Sequence, residues 1–301
     1  MTSPSGREQR FFDPAVIARL GTLELKARTI VEGFLSGLHR SPFKGFSVEF
    51  AEYRQYMPGD DLATIDWKVY ARTDRYYVKK FEDETNLDCH VMVDVSGSMA
   101  YGGHAVTKFE YAACLAASLA YLMNRQRDAV GLTAFSDRIV EMLPASAKSG
   151  HLRAILLALD RLTVGRETNV SRPLHQLADM LAKRGLVIVI SDLLDDPEAV
   201  IRGLKHFRFR GTDLLVFHVL DPDEVDFPFE RATRFEDLET GEEVVAVPAA
   251  VREHYVAQMR GLVDRYRREL GVAGIDYQLL LTNEPLEMAL LSYLSARSRT
   301  L

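Results

Sequence analysis

The chain has 301 residues, enough for one large domain or two ordinary ones with ample core. Hydrophobic residues at 47% and charged residues at 27% give the balance of a globular protein, not a disordered one. The net charge of -6 argues against a general nucleic-acid binder, because phosphate contacts call for a basic excess.

The first 13 residues, "MTSPSGREQRFFD", are polar and expected to be flexible, and they lack the apolar core of a secretory signal. "PAVIARLGTLELKARTIVEGFLSGL" then spaces its apolar residues as a helix does, with Gly21 as an interruption. From Phe43 to Thr85 aromatic and β-branched residues alternate with charges, and "PGDD" punctuates like a turn, so this stretch reads as antiparallel and β-rich. Within it, "RQYMPGDDLATIDW" is best read as a turn with a scaffold ion pair, Arg54 or Arg72 meeting Asp60 or Asp66. "WKVYARTDRYYVKK" reads as an edge hairpin and not as a nucleic-acid platform.

After residue 86 strands and helices alternate. "CHVMVDV" and "LVIVISD" are near-continuous apolar runs, as in strands buried on both faces. "KFEYAACLAASLAYLMNRQRD" is an Ala- and Leu-rich helix. "SRPLHQLADMLAKRG" is expected to be a helix capped by Ser171 and ended by Gly185. "RFEDLETGEEVVAV" reads as a hairpin turning at Thr240 and Gly241, and "IDYQLLLT" with "EPLEMALLSYLSARS" as a last strand and helix. The alternation predicts an α/β fold with a doubly wound, mostly parallel sheet flanked by helices. The expected division is a flexible 1–13, an N-terminal helix with a small β-rich segment over 14–86, and an α/β domain over 87–301 carrying a hairpin near 232–248. Cys89 and Cys114 sit in apolar contexts without metal spacing and read as small buried hydrophobes in a reducing compartment. No apolar run reaches the roughly 18 residues of a membrane span. The expected location is therefore the cytoplasm, or a membrane periphery reached only through a partner.

In doubly wound sheets ligands bind beyond the carboxyl ends of the strands. Asp94 ends "CHVMVDV", and Ser96 and Ser98 follow it at fixed steps. Asp192 ends "LVIVISD", and Thr168 lies in the polar loop "GRETNVSRPL" between them. If the two strands are neighbours, Asp94, Ser96, Ser98, Thr168 and Asp192 converge. All five offer oxygen, which suits a hard cation, Mg2+ above Mn2+ or Ca2+. Few carboxylates among the ligands leave such an ion underneutralised and attractive to an external anion. A partner's Asp or Glu would then complete the site, with Gly97, Met99, His104 and Asn169 forming the surrounding face. His90 and His218 lie within strand patterns and read as core or edge residues.

D-x-S-x-S after a buried strand, a loop threonine and an aspartate ending a later strand resemble the metal-ion-dependent adhesion site of von Willebrand factor A domains. "FAEYRQYMPGDDLATIDWKVYAR", "VKKFEDE" and the closing "LEMALLSYLSARSR" are similar to the bacterial family called domain of unknown function 58. That resemblance implies a von Willebrand A-like fold and a MoxR-type AAA+ ATPase as partner, with this chain an adaptor in a chaperone-like machine. An enzyme is disfavoured. Ser96 stands where a haloacid-dehalogenase-type phosphatase needs its second aspartate, and neither a nucleophile elbow nor a phosphate-cradling glycine loop is present. The alternatives are a structural assembly protein with an empty nest and, less favoured, a metal-dependent phosphatase-like hydrolase.

Overall fold

A computed structural model describes residues 13–40, 53–55, 76–79, 87–165, 170–181 and 185–300. A short helix, α1 (Pro14–Ala18), and a long one, α2 (Leu23–Arg40), come first, broken around Gly21 as the sequence predicts. Of the β-rich stretch, β1 (Tyr53–Gln55) and β2 (Tyr77–Lys79) are described and pair antiparallel. The expected ion pair among Arg54, Arg72, Asp60 and Asp66 and the placement of Trp67 fall outside the described side chains, as does the expected flexibility of residues 1–12.

The central sheet has six strands: β3 (Asp88–Asp94), β4 (Ala129–Phe135), β5 (Ile139–Ser146), β6 (Leu186–Ser191), β7 (Asp213–Leu220) and β10 (Asp276–Leu281). Their order is β10-β7-β6-β3-β4-β5. Only β5 runs antiparallel, since a three-residue connection after Phe135 returns the chain directly beside β4. The first strand, β3, lies in the middle. The chain first builds outward through β4 and β5, then crosses back to build β6, β7 and β10 on the other side. The reversal of winding therefore falls between β3 and β6, which pair parallel from Cys89 opposite Leu186 to Val93 opposite Ile190.

Side chains of the central strands alternate between two cores, the period-two pattern of a sheet covered on both faces. Val91, Val93, Ile188 and Ile190 pack under α2, α3 (Lys108–Arg125), α4 (His151–Arg161) and α9 (Glu287–Thr300). Met92, Val187 and Val189 pack under α5 (Ser171–Met180), α6 (Pro197–Phe209) and α8 (Pro248–Val272). Cys89 and Cys114 are buried free thiols, as expected; burial pushes the Cys114 thiol up to about 12. Between β7 and α8 come a short helix, α7 (Pro222–Asp226), and the expected hairpin, β8 (Thr233–Glu236) with β9 (Glu243–Ala246).

Two boundaries differ from expectation. Ser171 is the first residue of α5 and not its cap; the cap is Val170, whose N–H donates to the Asp195 carboxylate at 2.9 Å. Gly185 does not end that helix. It lies at the start of β6, where a Cβ would come within 2.2 Å of the Asp88 carbonyl oxygen, so the strand entry demands glycine.

Candidate functional site

The carboxyl ends of β3 and β6 meet at the reversal of winding, where the splayed connections of a doubly wound sheet leave a crevice. β3 delivers Asp94 there, fully buried. One carboxylate oxygen accepts the Ser96 N–H at 2.8 Å; the other accepts the Ser191 hydroxyl at 2.5 Å. The chain leaves β3 through extended Ser96 into a 3-10 turn over Gly97–Ala100. That path brings the Ser96 and Ser98 hydroxyls to 3.2 Å of each other. Ser96 is fully buried and Ser98 half-buried, so the pair opens toward solvent on the Ser98 side.

Asp192 follows β6 and is likewise fully buried. Its Oδ2 accepts the Lys108 ammonium at 2.8 Å, its Oδ1 the Leu194 N–H at 3.3 Å, and its main-chain carbonyl the His218 Nε2–H at 2.7 Å. His218 takes the Tyr277 hydroxyl on Nδ1 at 2.7 Å. Burial lowers its pKa to about 4, so at neutral pH it is an uncharged strut within the fold, as its strand position predicts. After Asp192 the chain turns sharply through Leu193, whose φ of 51° is the left-handed region. The Ser191 hydroxyl holds the Leu193 N–H at 2.9 Å, and the Tyr266 hydroxyl holds its carbonyl at 2.9 Å, which fixes that unfavourable turn.

Lys108 is the largest departure from the sequence reading. It is completely buried, and its ammonium also reaches Glu224 Oε1 at 2.6 Å. Burial alone would lower its pKa, but Asp192 and Glu224 override that and raise it to about 12. Burial also holds the Glu224 carboxyl above its ordinary value, against the pull of Lys108. Asp94 is raised to about 7, first by burial and then by the charge of Asp192. Two carboxylates thus share one ammonium, and Asp94 has only neutral donors around it. Buried charge without compensation is costly. A divalent cation beside Asp94, Ser96 and Ser98 fits both the charge deficit and the oxygen-only donors.

Thr168 and Asn169 lie outside the described residues. The flanks of their loop are described: the Gly165 N–H donates to the Val95 carbonyl at 2.7 Å, and Val170 is tied to Asp195. One end of the loop is therefore pinned between Asp94 and Ser96, the other three residues beyond Asp192. Asp195 serves that anchor, and Asp196 caps α6 by accepting from the Glu198 and Ala199 N–H groups, which leaves Asp192 as the aspartate of this turn whose charge acts on Asp94.

Of the residues expected to meet a partner, Met99 is corrected: it is fully buried in the core beneath α3 and offers no outward side chain. The 3-10 turn rolls it inward while Ser98 points up. Gly97 is also buried. His104 is half exposed and lies 3.4 Å from Asp223 Oδ1. With Asp221 it makes a further cluster, its ligand atoms within 4.8 Å of one another. Asp221 is committed there, accepting from the Asp223 and Gly103 N–H groups and the Thr282 hydroxyl.

Ser191, Lys108 and Glu224 were missed in the sequence. Lys108 carried a signal, since a cation in the first turn of a helix opposes the helix dipole and calls for a carboxylate. The Thr107–Glu110 capping box fixes that turn and aims the lysine inward. Glu224 sits in a helix too short to be marked by periodicity.

The fold and the crevice together define a doubly wound, mostly parallel α/β domain with helices on both faces of its sheet. Residues 52–262 match the family described as protein of unknown function DUF58, and the chain belongs to that family. Uncharacterized proteins of Mycobacterium bovis and Mycobacterium tuberculosis are 28% identical over 232 residues, 76% of this chain and 73% of theirs. Among solved structures, the conserved hypothetical protein BatB from Bacteroides thetaiotaomicron aligns with a TM-score of 0.50 at 15% identity, covering 71% of this chain and 98% of that one. That likeness is one of fold. Among the described residues no helix is long and apolar enough to cross a membrane.

Proposed function

We propose that this chain is a metal-dependent protein-binding module, not an enzyme. Asp94, Ser96, Ser98, Thr168 and Asp192 would hold Mg2+, which supplies Lewis-acid attraction for a partner's Asp or Glu carboxylate. The observation that supports this most is the uncompensated buried carboxylate of Asp94 beside two facing hydroxyls at the reversal of winding. The residues of the chain do the rest: Ser191 and the Ser96 N–H orient Asp94, Lys108 fixes Asp192, and Leu193 turns the chain away so that the crevice stays open.

His218 has both ring nitrogens engaged, one on a carbonyl and one on Tyr277, so it is not available to activate either serine. The resemblance to the family supports a MoxR-type AAA+ ATPase as the partner, with the chain an adaptor in complex assembly in the cytoplasm. A second reading, a structural pocket with Lys108 as its built-in cation, is favoured by the 2.8 Å pair with Asp192.

Thermal melting separates the two, because a ligand that binds only the folded state stabilises it by mass action. Mg2+ raises the Tm of the wild type and leaves Asp94→Ala unmoved if the module reading holds. An unmoved wild type assigns the pocket to structure. Binding of a purified MoxR-type ATPase to wild type and to Asp94→Ala, both in Mg2+, tests the partner. Equal binding rejects docking through the ion.

A further inference from the structure

Beside the Ser98 opening runs a groove of about 560 Å3 between the nest and the β8–β9 hairpin. Its floor is aromatic. Phe227 stacks on Phe235 at 5.5 Å and meets Tyr255 at 4.5 Å, and Phe229 closes edge-on against both Phe227 and Phe235. Arg252 of α8 clamps the Phe227 and Phe229 carbonyls, so the floor is fastened to the main fold and does not travel with the hairpin alone.

The walls are acidic. Asp223, Glu236, Asp237 and Glu239 line the groove against one guanidinium, that of Arg234, while a fifth carboxylate, Glu224, is held by Lys108. Arg234 in turn faces Glu243 at 3.4 Å, outside the groove lining, so its charge does little to offset the walls. An isolated two-stranded hairpin is marginal by itself. This one is kept against the fold through Phe235, and Glu236, the next residue, is exposed at the groove's edge.

Ser98 belongs both to the groove lining and to the ligand set. A chain segment whose carboxylate sits on the ion can therefore continue over the aromatic floor and between the acidic walls. We propose that the groove selects the partner: it takes a peptide segment whose acidic residue is flanked by an apolar residue and by a lysine or arginine. The acid answers the ion, the apolar side chain the Phe227–Phe235–Tyr255 floor, and the base the carboxylate walls. This rests on the ion-site reading given above and adds to it the chemistry that tells one acidic partner from another. An acid-rich segment is repelled by the walls, which is how specificity is made against the wrong partner.

The test uses the full chain in Mg2+ and fluorescein-labelled hexapeptides. The first probe carries one glutamate, two leucines, two lysines and one alanine; the second has glutamates in place of the lysines. Wild type binds the first about tenfold more tightly than the second, and Glu236→Lys, an exposed change, removes most of that preference. Asp94→Ala loses binding of both. If wild type binds the probes equally, binds neither, or keeps its preference undiminished in Glu236→Lys, the groove proposal is overturned. The Mg2+-induced rise in Tm, read on the same samples, shows in each case whether the ion site itself still stands. Preference for the first probe that is insensitive to both Mg2+ and Asp94→Ala overturns the coupling of groove to ion.

Discussion

Asp94 carries the clearest consequence at the scale of single residues. Its folded-state pKa of about 7 lies above the ordinary carboxylate value, raised by burial and by Asp192. The native state therefore holds the proton more tightly than the unfolded chain, and stability falls as pH rises between the two values. In ion-free buffer the Tm of the wild type drops from about pH 5 to about pH 8 for this reason, whereas Asp94→Asn flattens the profile and is the more stable protein at the upper end. In Mg2+ the order reverses, because only the wild type gains from the ion. A metal-free Asp94→Asn that melts below wild type at about pH 8 contradicts this account of the site. Lys108→Met acts in the opposite sense, leaving Asp192 and Glu224 buried without their ammonium. It costs about 3–5 kcal/mol in denaturant unfolding, the loss typical when one partner of a buried ion pair is removed. A loss under about 1 kcal/mol would mean that the pair is solvated in the native protein.

At the scale of elements, the closing helix shows why the domain extends past the apolar strands. Arg297 of α9 grips the fully buried Asp128 at the entry to β4, Nε to Oδ2 at 2.7 Å and Nη2 to Oδ1 at 3.1 Å. Tyr293, also buried, donates to Gln126 at 3.0 Å nearby. Arg297→Ala strands the Asp128 carboxylate and is expected to cost about 3 kcal/mol of unfolding free energy, measured by chemical denaturation. The strands and helices that build this part were legible because burial on two faces leaves continuous runs such as "LVIVIS", and amphipathic helices leave spaced apolar residues. Boundaries were less so. The start of α5 is set by Val170 meeting Asp195, and the role of Gly185 by the approach of Asp88, both contacts between segments distant in sequence. The same distinction runs through the nest. Asp94, Ser96, Ser98 and Asp192 were legible from their places at strand ends, and β3 and β6 are indeed neighbours. Lys108 and Glu224 arrive from other elements, and only the tertiary fold brings them in. Met99 was misplaced because a 3-10 turn reverses which side chains face outward, and a two-residue rhythm does not reveal that.

For the whole molecule, the order of the strands gives the site its meaning. One strand laid down first in the middle of the sheet, followed by building on either side, leaves a crevice at its end, and the loop flanks at Gly165 and Val170 close over the same place. Among the described residues, two groups of side chains are candidates for a cation, the nest at Asp94 and the cluster of His104, Asp221 and Asp223. On the proposed function, the first is the ion site. Anomalous diffraction from crystals of the protein soaked in Mn2+ distinguishes them directly. The account predicts a peak in contact with the Ser96 and Ser98 hydroxyls and the Asp94 carboxylate, lost in Asp94→Ala. A peak confined to His104, Asp221 and Asp223, or none at the nest, contradicts it.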